Sequence, residues 1–292
     1  MIEEVIDLEH IRINVRYSNN NKPVILFIHF SGGNLNMWNG ILPQFENDYS
    51  IIAPDIRGHG KSDKPLTGYH IEDMAKDIYV LLKKRNIECC HIVGSSMGAE
   101  IGLCFAASHP EFVKSLVCEG ALYNEFGEFG LWNGTETEIQ QKKEELRIEL
   151  AQREERIYKT KEEYIEEVRA ELEPEGLWND NFLAFFENNL QQKSDGNYTY
   201  CYLNHTRTEY IQKYWDIKFE EYYKKVKCPI LFLPSEEEWK DEKIRASLSS
   251  FTKLLNDYEI EHIDNSIHAY VWMQLPLTIG HIVKNFIDQH ER

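Results

Sequence analysis

Apolar runs alternate with amphipathic stretches through the first third of the chain. The segments VILFIHF (24–30), SIIAPDI (50–56), CHIVGSS (90–96) and KSLVCEG (114–120) carry too few polar positions for half-exposed strands, so they predict strands buried on both faces. Between the second and third, IEDMAKDIYVLLKKRNI places its apolar residues three and four apart, the period of a helix with one buried stripe. Upstream, IDLEHIRINVRYSNNNK predicts an antiparallel hairpin that ends in a polar turn. Strands linked by crossover helices imply an α/β fold built on a mostly parallel sheet flanked by helices.

From about Tyr123 the pattern changes. EIQQKKEELRIELAQREERIYKTKEEYIEEVRAELEPEG is dense in charge and has no proline before Pro174, which predicts long exposed helices supported by opposite charges one turn apart. Its apolar positions hold no heptad, so a coiled coil is not expected. The aromatic-rich stretches LWNDNFLAFFENNL and YIQKYWDIKFEEYYKK follow. Strand character returns at CPILFLPS (228–235), followed by a helix near 243–256, a short strand DYEIEHI and a last helix from Pro276. The expected organisation is a core of residues 1–122 and 224–292 interrupted by a helical insertion, 123–223.

Composition narrows the classes of partner. A formal net charge of −17 opposes nucleic acid, whose binding depends on clustered Lys and Arg, and opposes adsorption to anionic lipid. The N-terminus MIEEVIDLEH has no basic stretch leading into an apolar run, and no apolar run is long enough for a bilayer span, so a cytoplasmic protein is expected. The six cysteines lack paired metal-site spacing and sit mostly in apolar segments, which suits buried reduced thiols.

The chemistry concentrates in IVGSSMGAE. Gly94-Ser95-Ser96-Met97-Gly98 fits G-x-S-x-G with Ser96 at the centre, after a predicted strand and before a predicted helix. A serine on so tight a turn is raised above the sheet edge, and the helix that starts at Met97 directs its free amides toward charge forming nearby. Ser95 lacks the glycine spacing and is the weaker nucleophile.

With this motif the sequence resembles the α/β-hydrolase fold family. Ile28-His29-Phe30-Ser31-Gly32-Gly33 looks like the family's His-Gly loop, and Asp55-Ile56-Arg57-Gly58-His59-Gly60-Lys61-Ser62 is close to its D-x-R-G-x-G-x-S turn. The insertion falls where the family carries a variable helical cap. The resemblance implies a nucleophile, acid, histidine order along the chain, with His268 as the base in DNSIHAYVWMQLP and Glu238 as the acid in PILFLPSEEEW. Glu119, at the end of the preceding strand, is a rival acid, and Glu236 or Glu237 would serve if the turn were one residue out of register. The oxyanion donors implied are the backbone N–H groups of Ser31 and Met97. Phe30 stands where the family usually has glycine, so it is expected to narrow the acyl side of the pocket or to disturb the oxyanion loop. Asp55 and Arg57 are expected to hold their turn, and Glu100 to complement the helix dipole.

The reaction expected is hydrolysis of a small or medium, uncharged, fairly apolar carboxylic ester through an acyl-enzyme, with no metal or organic cofactor. Lactones, thioesters and carbon–carbon bonds need nearly the same residues. A ligand receptor that keeps the triad without turnover is the reading from another class. The expected partner is a small ester-like molecule, and a homo-oligomer stays compatible with the sequence.

Overall fold

The protein is described here by a computed structural model that covers every residue except Asn19, Ala121 and Arg292. The chain opens with β1 (Ile2–Asp7) and β2 (Arg12–Tyr17), paired antiparallel, and continues through β3 (Val24–Ile28), β4 (Ser50–Pro54), helix α1 (Ile71–Lys84), β5 (Cys90–Ser95), helix α2 (Met97–Ser108) and β6 (Val113–Glu119). A middle stretch then supplies β7 (Asn124–Phe126), β8 (Gly130–Trp132), α3 (Glu136–Ala151), α4 (Lys161–Leu172), α5 (Asp180–Glu187), β9 (Leu190–Gln192), β10 (Tyr198–Tyr200), α6 (Asn204–Tyr214) and α7 (Phe219–Tyr223). The chain returns to the sheet at β11 (Ile230–Leu233), passes α8 (Glu236–Lys240), α9 (Glu242–Thr252) and β12 (Tyr258–Ile260), and ends in α10 (Val271–Gln274) and α11 (Pro276–His290).

The principal sheet has eight strands in the order β1-β2-β4-β3-β5-β6-β11-β12. It is parallel from β4 to β12, and β2 joins β4 antiparallel. Every residue of β3, β4 and β5 is buried, as strands covered on both faces require. Alternate side chains divide between two apolar layers: Leu26, Ile28 and Ile92 join α1 and α2 on one face, whereas Ile25, Phe27 and Val93 meet α11 and Trp272 on the other. No helix among the described residues is long and apolar enough to cross a membrane.

The middle stretch packs into both layers rather than around a large core of its own. Tyr164, Phe182, Phe185 and Phe186 join one layer, Tyr210, Phe219 and Tyr223 join the other, and Phe126, Leu150 and Trp215 form a small third cluster. Helix α3 begins at a capping box between Thr135 and Glu138 and carries the pairs Lys142–Glu145 and Arg147–Glu144 on its surface. The region is not wholly helical, because β7 and β8 pair parallel and β9 and β10 form a hairpin. That hairpin has a sequence reason: Asp195-Gly196 lies at its turn, where Gly196 has φ +88°, a conformation that glycine adopts without a Cβ clash.

Two polar anchors fix the loops at the carboxyl ends of the strands. Asp55 accepts hydrogen bonds from the Leu35 amide at 2.8 Å, from the Lys61 amide at 2.9 Å and from Asn14 Nδ2 at 2.9 Å, tying three segments to the end of β4. Arg57 donates through two nitrogens to Asp77 of α1, each at 2.6 Å, and through a third to the Gly68 carbonyl at 2.9 Å. Both side chains of the ion pair are nearly fully buried. Asp77→Asn leaves the Arg57 charge without its counter-charge. It should cost about 3 kcal/mol, read as a lower urea midpoint with an unchanged slope.

Candidate active site

The turn between β5 and α2 answers which of the two serines is displayed. Ser96 has φ +50° and ψ −117°, a backbone conformation rare outside glycine, and makes no side-chain capping bond to α2. Its amide donates to the Glu119 carbonyl at 2.9 Å, and its carbonyl accepts from Ala99 and Glu100 as the helix starts. The flanking glycines are required by close backbone approach. A Cβ on Gly98 would lie 2.0 Å from the Ile28 carbonyl oxygen, and one on Gly94 would lie 2.5 Å from the Ala99 backbone. Ser95 points the other way, fully buried, and donates to Glu119 Oε2 at 2.6 Å.

His268 lies in the segment between β12 and α10. Its Nδ1 faces two carboxylates, 3.1 Å from Glu119 Oε1 and 3.5 Å from Glu238 Oε2. Glu119 is the more fully held of the two: besides Ser95, it accepts from the Ala269 amide at 2.9 Å and from Trp272 Nε1 at 3.3 Å. Glu238 closes a capping box with Ser235 at the start of α8, accepting from the Ser235 amide at 2.9 Å. A side chain at Gly120 would bring a Cβ to 2.8 Å from His268 Cε1, so glycine leaves room for the imidazole. Burial alone would lower the His268 pKa, but the attraction of Glu119, and after it of Glu238, raises it well above the ordinary value of 6.5.

The oxyanion-loop candidates lie at the end of β3. The loop closes with the Gly33 amide on the Phe30 carbonyl at 2.9 Å, and the Gly32 amide donates to His59 Nε2 at 2.9 Å. His59 is a neutral acceptor there, because burial, followed by the charge of His29, pushes its pKa well down. Tyr202 covers the loop from the middle stretch: its ring stacks on His59 at 4.3 Å and its hydroxyl meets Ser31 Oγ at 2.7 Å. Phe30 does not narrow the cavity as expected. Its ring packs against Phe185 at 5.6 Å and Tyr270 at 6.1 Å, and its backbone needs no positive φ.

Ser96, Glu238 and His268 line one cavity of about 410 Å³, whose opposite wall comes from Leu146, Leu150, Tyr210, Tyr214 and Trp215. Glu100 also faces it. Burial raises this carboxyl to a pKa of about 7, against the Tyr210 hydroxyl at 2.8 Å and the charge of His268, which pull it down. The expectation for Glu100 went no further than the helix dipole; the periodicity of α2 could not show that one turn past Ser96 faces the cavity. Glu119, Glu238 and His268 also form the one grouping among the described residues with metal-ligand spacing, their donor atoms within 4.8 Å of one another. A cation there would compete for the Nδ1 that the two carboxylates face. In a proton NMR titration, the His268 ring should titrate above 6.5. Glu119→Gln should move that transition to lower pH, and by more than Glu238→Gln does, because Glu119 is closer and exerts the larger pull.

A sequence model of the family described as alpha/beta hydrolase fold matches residues 23–146. The 2-(acetamidomethylene)succinate hydrolase of Mesorhizobium japonicum is 35% identical over 116 residues, 40% of this chain and 41% of that protein. The 3-oxoadipate enol-lactonase 2 of Acinetobacter baylyi is 32% identical over 96 residues, 33% of this chain and 36% of that protein. The chain spans between 29% and 41% of the length of the curated relatives it matches. Among solved structures, that of E-2-(acetamidomethylene)succinate hydrolase superposes with a TM-score of 0.78 at 23% identity, covering 98% of this chain and 99% of that one.

Proposed function

The chain belongs to the α/β-hydrolase fold family, and from that premise we propose that it is a serine hydrolase cleaving a carboxylic ester of small to medium size through an acyl-enzyme. The observation that carries this reading is the strained Ser96 turn opening into the same cavity as His268, whose far nitrogen faces buried carboxylates. The two relatives named above are, by name, a hydrolase and a lactonase, which is consistent with acyl chemistry at such a site.

In this mechanism Ser96 Oγ attacks the ester carbonyl carbon while His268 Nε2 takes the hydroxyl proton. The amides of Met97 and Ser31 receive the oxyanion. Collapse of the tetrahedral intermediate expels the alcohol, which takes the proton from His268. Water then attacks the acyl-enzyme by the same route and releases the acid. Glu238, the acid expected from the sequence, shares the orientation of the imidazole with Glu119, which lies closer. The stretch 123–223 acts as the cap, and its Leu146, Leu150 and Trp215 give the substrate body an apolar wall.

A base must be neutral to accept the serine proton. Because the resting imidazole is held protonated to higher pH than an ordinary histidine, kcat/KM should rise with pH through the raised His268 pKa. Steady-state hydrolysis of p-nitrophenyl butyrate should fall about a thousandfold or more in Ser96→Ala and in His268→Ala. An intact mass shifted by the acyl group should be trapped in the parent and not in Ser96→Ala. Turnover that survives Ser96→Ala would overturn the mechanism.

A further inference from the structure

A second cavity, of about 420 Å³, lies beside the first and is bounded by Gly32 of the oxyanion loop, Tyr202, Asn189, Arg153 and Arg207. Arg153 lines both cavities, so the two share a wall. Arg153 follows the end of α3 and Arg207 lies on α6, so the pair is assembled from separate segments.

Among the described residues neither Arg153 nor Arg207 makes an ion pair, although the chain carries 49 acidic side chains against 32 Lys and Arg. The third arginine of the wall, Arg156, is already paired with Glu167. The Arg207 pKa is lowered, by burial first and then by the like charge of Arg153. Glu154 and Glu155 belong to the same wall but do not come within ion-pair distance of either arginine. Asn189, 9% exposed, also belongs to this wall.

We propose that Arg153 and Arg207 form a carboxylate-binding subsite for the far end of the substrate, so that the ester cleaved at Ser96 carries a terminal carboxylate. The planar fork of a guanidinium matches a carboxylate through two parallel hydrogen bonds. A single negative charge suits a wall that also holds Glu154 and Glu155 better than a doubly charged phosphate does. The proposal departs from the uncharged ester expected from the sequence, and it rests on the hydrolase reading for the reacting end alone.

Two measurements separate the subsite from the chemistry. In the first, kcat/KM is compared for p-nitrophenyl hydrogen glutarate and for p-nitrophenyl valerate, a neutral ester of equal chain length. The parent should favour the charged ester by at least about tenfold, and the double variant Arg153→Met/Arg207→Met should bring that ratio near one. Arg153→Lys/Arg207→Lys should keep part of the preference. A parent without preference, or a double variant that retains it, overturns the subsite while leaving the hydrolase reading intact. In the second, mono-methyl glutarate is titrated calorimetrically into the Ser96→Ala protein with and without the arginine substitutions, after the urea midpoints have been matched. Arginine-dependent binding here, together with a parent protein that hydrolyses neither ester in the first measurement, supports the subsite and removes the hydrolase reading. Tighter arginine-dependent binding of methyl phosphate than of mono-methyl glutarate overturns the assignment to carboxylate.

Discussion

The arrangement depends on one close approach, that of the first turn of α2 to the end of β3. Gly98 lies so near the Ile28 carbonyl that no side chain fits between them, and Gly94 lies nearly as tight against Ala99. With both positions reduced to backbone, β5 can turn directly into α2, and Ser96 is left at φ +50° with its side chain free of the helix. The strain is of the order of 1–3 kcal/mol. It is sustained because the strand before the turn and the helix after it are buried almost throughout, and the Ser96 amide is tied to the Glu119 carbonyl.

The same strand end that holds the serine amide also holds the imidazole. Glu119 takes Ser95, the Ala269 amide and Trp272 as donors and faces His268 Nδ1 with the oxygen that accepts from Ala269, so one buried carboxylate links the turn, the C-terminal loop and α10. Glu238 approaches the same nitrogen from α8. Two carboxylates on one imidazole stabilise its charged form more than one does, which sets the proposed base toward alkaline operation. Glu100, neutralised in part by burial, leaves the cavity wall less negative than its residues suggest.

Around this frame the loops are held by neutral histidines and a buried ion pair. His29 and His59 each place Nδ1 beside a carbonyl and accept an amide at Nε2, from Ile56 and Gly32 respectively. Each ring therefore serves as a fixed acceptor inside the loop. Tyr202 carries that order across to the middle stretch through its contact with Ser31, so the oxyanion loop and the second cavity share a wall.

Much of this was present in the sequence because it is local. The buried runs at 24–30, 50–56 and 90–96, the stripe of α1 and the G-x-S-x-G turn each follow from the period or chemistry of a few neighbouring residues. Tertiary structure alone decided what depends on distant segments meeting. It placed Glu119 nearer than Glu238 to His268, turned Phe30 onto Phe185 and away from the cavity, and faced Glu100 into it. It also drew Arg153 and Arg207 into one wall with no ion pair to either, although 53 residues lie between them in the chain. Periodicity reports which face of an element is buried; it carries no information on which two buried or charged groups will come within a few ångströms across the fold.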